Sequence, residues 1–172
     1  MLKLILVRHA KTEPLTDAGS DFQRNLKKRG WSDARLVAET LLKSSYRPDK
    51  IIASPATRAW QTATVFAGVF GFKEEDIVSA RFLYDGDTTA GMLDGLAELA
   101  GQAKTLLVVG HNPDMAMLTM HLSNVRPERF PTTASAVISF SLSAWHDVNV
   151  NTGRMELLLI PKKLKEANNE LN

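Results

Sequence analysis

The chain has 172 residues, the length of one domain. Apolar residues make up 44% and charged residues 23%, a globular composition that excludes a disordered chain. The 21 basic side chains exceed the 19 acidic ones by too little to indicate a nucleic acid or a membrane surface, and the absence of Cys excludes disulfides, thiolate metal sites and a cysteine nucleophile.

In chain order, residues 2–7 form an aliphatic run that reads as a strand buried on both faces. The run stops at Arg8-His9 without a signal-peptide cleavage site, and no apolar stretch approaches the roughly 18 residues of a membrane span, so a cytoplasmic setting is expected. Residues 32–43 place Ala34, Val37, Ala38, Leu41 and Leu42 at helical spacing. A second strand over 50–53 leads into a helix over 57–70, and a short strand over 77–79 precedes a helix over 88–100. A third buried strand, 105–109, is followed by a helix over 114–122. Residues 136–142 partly alternate, the pattern of a strand near a sheet edge, and 155–160 reads as the last strand. Strands alternating with helices give an α/β domain with a mostly parallel sheet over residues 1–160. Residues 161–172 are polar and read as a tail that frays.

Three strand ends deliver a histidine or an arginine to a strand-to-helix junction: Arg8-His9-Ala10, Ser54-Pro55-Ala56-Thr57-Arg58, and Gly110-His111-Asn112-Pro113. Ligands of open α/β sheets bind beyond the carboxyl ends of the strands, so these groups are expected in one crevice. Ser54 reads as a helix cap with Pro55 at the first helical position, which puts Arg58 about one turn into the helix. Two arginines, two histidines and two helix starts favour an anion, and guanidinium forks match the oxygens of a phosphoryl group. Without a cysteine, a Walker A loop or a carboxylate cluster for a metal, an imidazole remains as the nucleophile.

These motifs, with Trp60-Gln61-Thr62-Ala63 following Arg58, resemble the histidine phosphatase superfamily, which includes phosphoglycerate mutases and acid phosphatases. Asp21-Phe22-Gln23-Arg24-Asn25-Leu26 with Gly30 is most similar to its short, SixA-type branch of phosphohistidine phosphatases. The resemblance implies a three-layer αβα sandwich of phosphoglycerate mutase-like fold. It also implies His9 as the residue that becomes phosphorylated, Arg8 and Arg58 as phosphate-gripping groups, and His111 as a stabiliser of the transition state. Arg24 matches an arginine at the pocket mouth, and Asn112 offers its backbone N–H. The implied activity is metal-independent and cofactor-free hydrolysis of a phosphorylated protein or small molecule, releasing inorganic phosphate.

The acid that protonates an alcohol leaving group in many relatives has no clear counterpart. Asp85 and Asp87, flanking Gly86, are the candidates, and both also read as ordinary loop residues. An imidazole leaves with far less help, because its conjugate acid has a pKa of about 6.5, so a missing acid favours protein phosphohistidine as substrate. The alternatives are a small-molecule phosphomonoesterase, for sugar or nucleotide phosphates, and a phosphate-binding module without turnover. Arg24 also reads as a helical-spacing partner of Asp21, His121 as a helix residue, and His146 as a solvated turn residue.

Overall fold

The computed structural model describes residues 1–171. Strand β1 (Leu2–Arg8) sends Leu2, Leu4 and Leu6 into one apolar cluster, and Ile5 and Val7 into another. Side chains alternate along a strand, so a strand apolar on both faces needs helices on both sides. The same alternation runs through β2 (Lys50–Ala53) and β4 (Thr105–Gly110). With β3 (Val78–Ser79), β5 (Ser135–Phe140) and β6 (Gly153–Leu159) they form a six-stranded sheet of order β3-β2-β4-β1-β5-β6. The first four are parallel, β5 is antiparallel to β1, and β6 is antiparallel to β5.

Helices α1 (Lys28–Lys43) and α2 (Thr57–Phe70) cover one face. The one-turn α3 (Phe82–Asp85), α4 (Thr89–Ala100) and α5 (Asp114–Ser123) cover the other. The result is the expected three-layer αβα sandwich. Among the described residues no helix is long and apolar enough to cross a membrane.

The structure refines the sequence reading at several element ends. Helix α1 starts at Lys28 rather than at residue 32, since its first turn, with Lys28 and Arg29 facing water, carries no apolar repeat to signal it. Helix α3 is too short to show a period. Strand β5 does lie near an edge, one strand in, between β1 and the edge strand β6, with Ala136, Ile138 and Phe140 on one face and Val137 on the other. Residues assigned to a polar tail form α6 (Pro161–Glu170), with Pro161 at its first turn. Leu164 packs that helix onto the core, and Lys165 pairs with the buried carboxylate of Asp33 on α1. Residue 172 lies outside the described residues.

One glycine positions the future site. A Cβ at Gly30 would lie 2.3 Å from the main-chain oxygen of Lys11, which also accepts from Lys27 N at 2.9 Å. The missing side chain lets α1 press against the segment that follows β1, and so fixes the loop carrying His9.

Candidate active site

The order β2-β4-β1 in parallel register brings the ends of these three strands to one rim of the sheet. β1 ends at Arg8 with His9 next, and β4 ends at Gly110 with His111 next. Past β2, the chain reaches Arg58 in the first turn of α2. The ring centroids of His9 and His111 are 5.2 Å apart, and His9, Arg58 and His111 are all buried. The sequence had Ser54 and Pro55 beginning the helix, but α2 starts at Thr57 and has no side-chain cap. Ser54 Oγ instead accepts from Ala56 N at 3.2 Å and meets His111 Nε2 at 2.8 Å, so it orients the histidine.

The local hydrogen bonds set the state of His9. Its Nδ1 lies 2.9 Å from the main-chain oxygen of Ala10. A carbonyl only accepts, so Nδ1 carries the proton and Nε2 keeps its lone pair. Burial pushes His9 down to about 3, with His111, Arg58 and Arg8 adding to the effect and the Ala10 carbonyl opposing it. Burial, then the Arg58 and Arg8 charges, push His111 down to about 4 against the pull of Asp21. Both rings are neutral at pH 7.

Two hydroxyl and amide clamps hold this geometry. Thr62 Oγ1 accepts from Ala10 N at 3.0 Å and donates to Arg58 O at 2.7 Å, tying the loop after β1 to the first turn of α2. Gln61 accepts from Leu26 N at 2.8 Å and donates to Asn25 at 3.0 Å. The segment before α1 is thereby held to α2.

The arginines differ in how they are held. Arg58 Nη1 donates to the main-chain oxygen of Asp21 at 2.7 Å, and Nη2 to its carboxylate at 3.1 Å. Arg8 Nη1 donates to Phe130 O at 3.3 Å, and its Nε is buried without a partner. A buried guanidinium N–H without a partner is unusual and is the kind of group a bound oxyanion would satisfy.

The remaining predicted residues are distributed unevenly. Arg24 reaches Asp21 at 3.4 Å and spends its other donors on Thr12 Oγ1 and Glu13 O, so it braces the 21–24 segment. Asn112 uses its side chain to donate to Phe130 O at 2.8 Å and to accept from Ala116 N at 3.3 Å. Asp85 pairs with Arg81 at 3.1 Å on the exposed side of α3, and Asp87 accepts from Thr88 N at 2.7 Å. Neither is bonded to His9, Arg8, Arg58 or His111. His121 lies on α5 and meets Thr89 Oγ1 at 2.7 Å, and His146 is exposed in a single turn.

Sequence reasoning missed Asp21 as a group of the cleft, together with Tyr84. The Tyr84 hydroxyl donates to Asp21 Oδ2 at 3.0 Å, and its ring stands edge-on to His111 at 5.6 Å. The only sequence signal was the Asp21–Arg24 spacing, which reads as a local pair.

Both histidines are expected to remain unprotonated at pH 5 in a ring-proton NMR titration, where solvated imidazoles are already charged. The sign for stability follows. Between pH 6.5 and about 4 the unfolded chain binds protons that the folded site refuses, so stability falls as pH falls through that window. Thermal melts from pH 7 to pH 4 check this.

The model of the histidine phosphatase superfamily (branch 1) matches residues 4–81, the part that holds Arg8, His9 and Arg58. A solved structure of a candidate phosphohistidine phosphatase SixA from Agrobacterium tumefaciens is 26% identical, with a TM-score of 0.76, over 93% of this chain and 98% of that one. Over residues 4–81 and in its fold, the chain is similar to the histidine phosphatase superfamily. A second structure, of the protein histidine phosphatase SixA complexed with tungstate, shares the fold with a TM-score of 0.80 at 22% identity, over 95% of this chain and 99% of that one. An uncharacterised protein of Mycobacterium tuberculosis is 28% identical over 91% of this chain and the whole of its own length.

Proposed function

We propose that this protein is a phosphatase of the histidine phosphatase superfamily that uses His9 as nucleophile and acts on protein phosphohistidine without a metal. The observation that carries the reading is the state of His9: neutral, with Nδ1 tied to Ala10 and Nε2 left free beside two arginines. Its Nε2 lone pair forms a bond to phosphorus as the bond from phosphorus to the substrate nitrogen breaks, and the substrate ring, protonated by solvent at its other nitrogen, departs as neutral imidazole. Arg8, Arg58 and His111 hold the equatorial oxygens as charge develops. Water then attacks the phosphorus, the bond to His9 breaks, and inorganic phosphate leaves with His9 neutral again.

The choice of phosphohistidine over a phosphate ester rests on proton supply. Asp85 and Asp87 are bonded elsewhere, and Tyr84, Arg58 and Arg24 hold the Asp21 carboxyl below the ordinary carboxylate range against the effect of its burial. An ionised carboxylate cannot donate a proton to an alkoxide, whereas an imidazole needs little help. The test is turnover of a phosphohistidine-bearing protein beside sugar, nucleotide and aryl phosphate esters. Phosphohistidine is expected to have the highest kcat/KM, by about 100-fold or more over alkyl esters, the scale of general-acid catalysis. The reverse ranking would assign the protein to small metabolites.

A further inference from the structure

We infer that Asp21 is a positioning residue of this site: its carboxylate holds the Arg58 guanidinium in place for a phosphoryl group and pins Tyr84 against the His111 ring. The role presupposes the phosphoryl transfer proposed above.

The pairing is asymmetric. The Arg58 side chain is 9% exposed and that of Asp21 is 46% exposed. A guanidinium so deeply placed needs a partner, and Arg58 receives both of its named acceptors from one residue, the main-chain oxygen and Oδ2 of Asp21. A guanidinium has five N–H donors, so a bonded Arg58 still has donors to offer an incoming oxyanion.

The same oxygen, Oδ2, also accepts from the Tyr84 hydroxyl, and Oδ1 receives Arg24 at 3.4 Å. One carboxylate therefore joins α2, α3 and the 21–24 segment. Phe22 extends the join, with its ring 5.0 Å from that of Tyr84 in an edge-on arrangement and the Arg81 guanidinium over both rings. The chain of contacts runs from Arg58 through Asp21 and Tyr84 to His111. A group that fixes donors before charge develops lowers the reorganisation needed in the transition state.

A merely structural Asp21, anchoring a surface segment, would be visible in stability alone. Asp21→Asn separates the two. It keeps the main-chain oxygen and the side-chain shape, and removes the charge. The expected result is a parallel fall in kcat and kcat/KM of about 100-fold on the best substrate of the panel, the scale of a misplaced reacting group, with KM nearly unchanged. Tungstate binding, measured by calorimetry, is expected to weaken at the same time. Asp21→Glu, which restores the charge on a longer arm, is expected to recover part of the rate. Tyr84→Phe keeps the ring and is expected to lose less than Asp21→Asn.

Unchanged kcat in an Asp21→Asn protein that melts lower would overturn the positioning role, as would tighter tungstate binding, which would mark the carboxylate as a plain repulsive charge. A wild-type protein that neither binds tungstate nor turns over any phosphorylated compound would instead remove the phosphatase reading, and this role with it.

Discussion

Alanine at position 9 is expected to reduce turnover by at least about 10⁴-fold, the scale on which nucleophile deletions act. No substitute is at hand. The chain has no cysteine, and the nearby Ser54 hydroxyl is engaged by His111 and Ala56 N. Direct attack by water on the substrate is the route left, aided only by the arginines. The loss should fall on kcat, while tungstate binding persists, because Arg8, Arg58 and His111 remain. The covalent intermediate gives an independent readout. Wild type quenched during turnover should carry a phosphoryl group on His9, seen by mass spectrometry under alkaline conditions, and His9→Ala should carry none. The variant should also resist acid better than wild type, since the buried imidazole that refuses a proton down to about 3 is gone. Full turnover by His9→Ala would end the nucleophile assignment.

Replacing Arg58 by lysine is expected to cost about 10²–10³-fold in kcat/KM, the range found when one donor to a developing oxyanion is removed. The charge is kept, so the loss would measure geometry. Lysine offers a single ammonium, while Arg58 uses two nitrogens to grip Asp21 and has N–H donors left over for an oxyanion. Arg58→Lys should therefore bind tungstate more weakly as well as turn over more slowly. A variant with wild-type kinetics would place the oxyanion elsewhere, on Arg8 and its free Nε.

The architecture was legible because buried parallel strands are short aliphatic runs, and each of β1, β2 and β4 leads into a junction that carries a residue of the candidate site. Position at a strand end in a parallel sheet is both a local and a topological property, so His9, Arg58 and His111 could be grouped before any contact was known. Asp21 and Tyr84 could not. They sit on a single turn and a one-turn helix, with no period to place them, and they meet across the cleft through contacts distant in sequence. Asp85 attracted notice as the carboxylate beside a turn glycine, yet Arg81 four residues earlier takes it outward. Helix α6 was hidden for another reason: its composition is that of a tail, held to the body by the buried Pro161, Leu164 and the Lys165–Asp33 pair.

The reversal of strand direction at β5 has a consequence for synthesis. Because β5 runs against β1, it begins where β1 ends, and the segment entering it supplies Phe130 O to Arg8 and Asn112, while Thr133 N donates to the oxygens of Arg8 and His9. A nascent chain that has emerged from the ribosome as far as His111 already carries both histidines and both arginines, but not the carbonyl that aims Arg8. The candidate site is thus assembled only after residues 130–140 have emerged and closed the sheet, and a ribosome stalled before that point holds its parts unassembled.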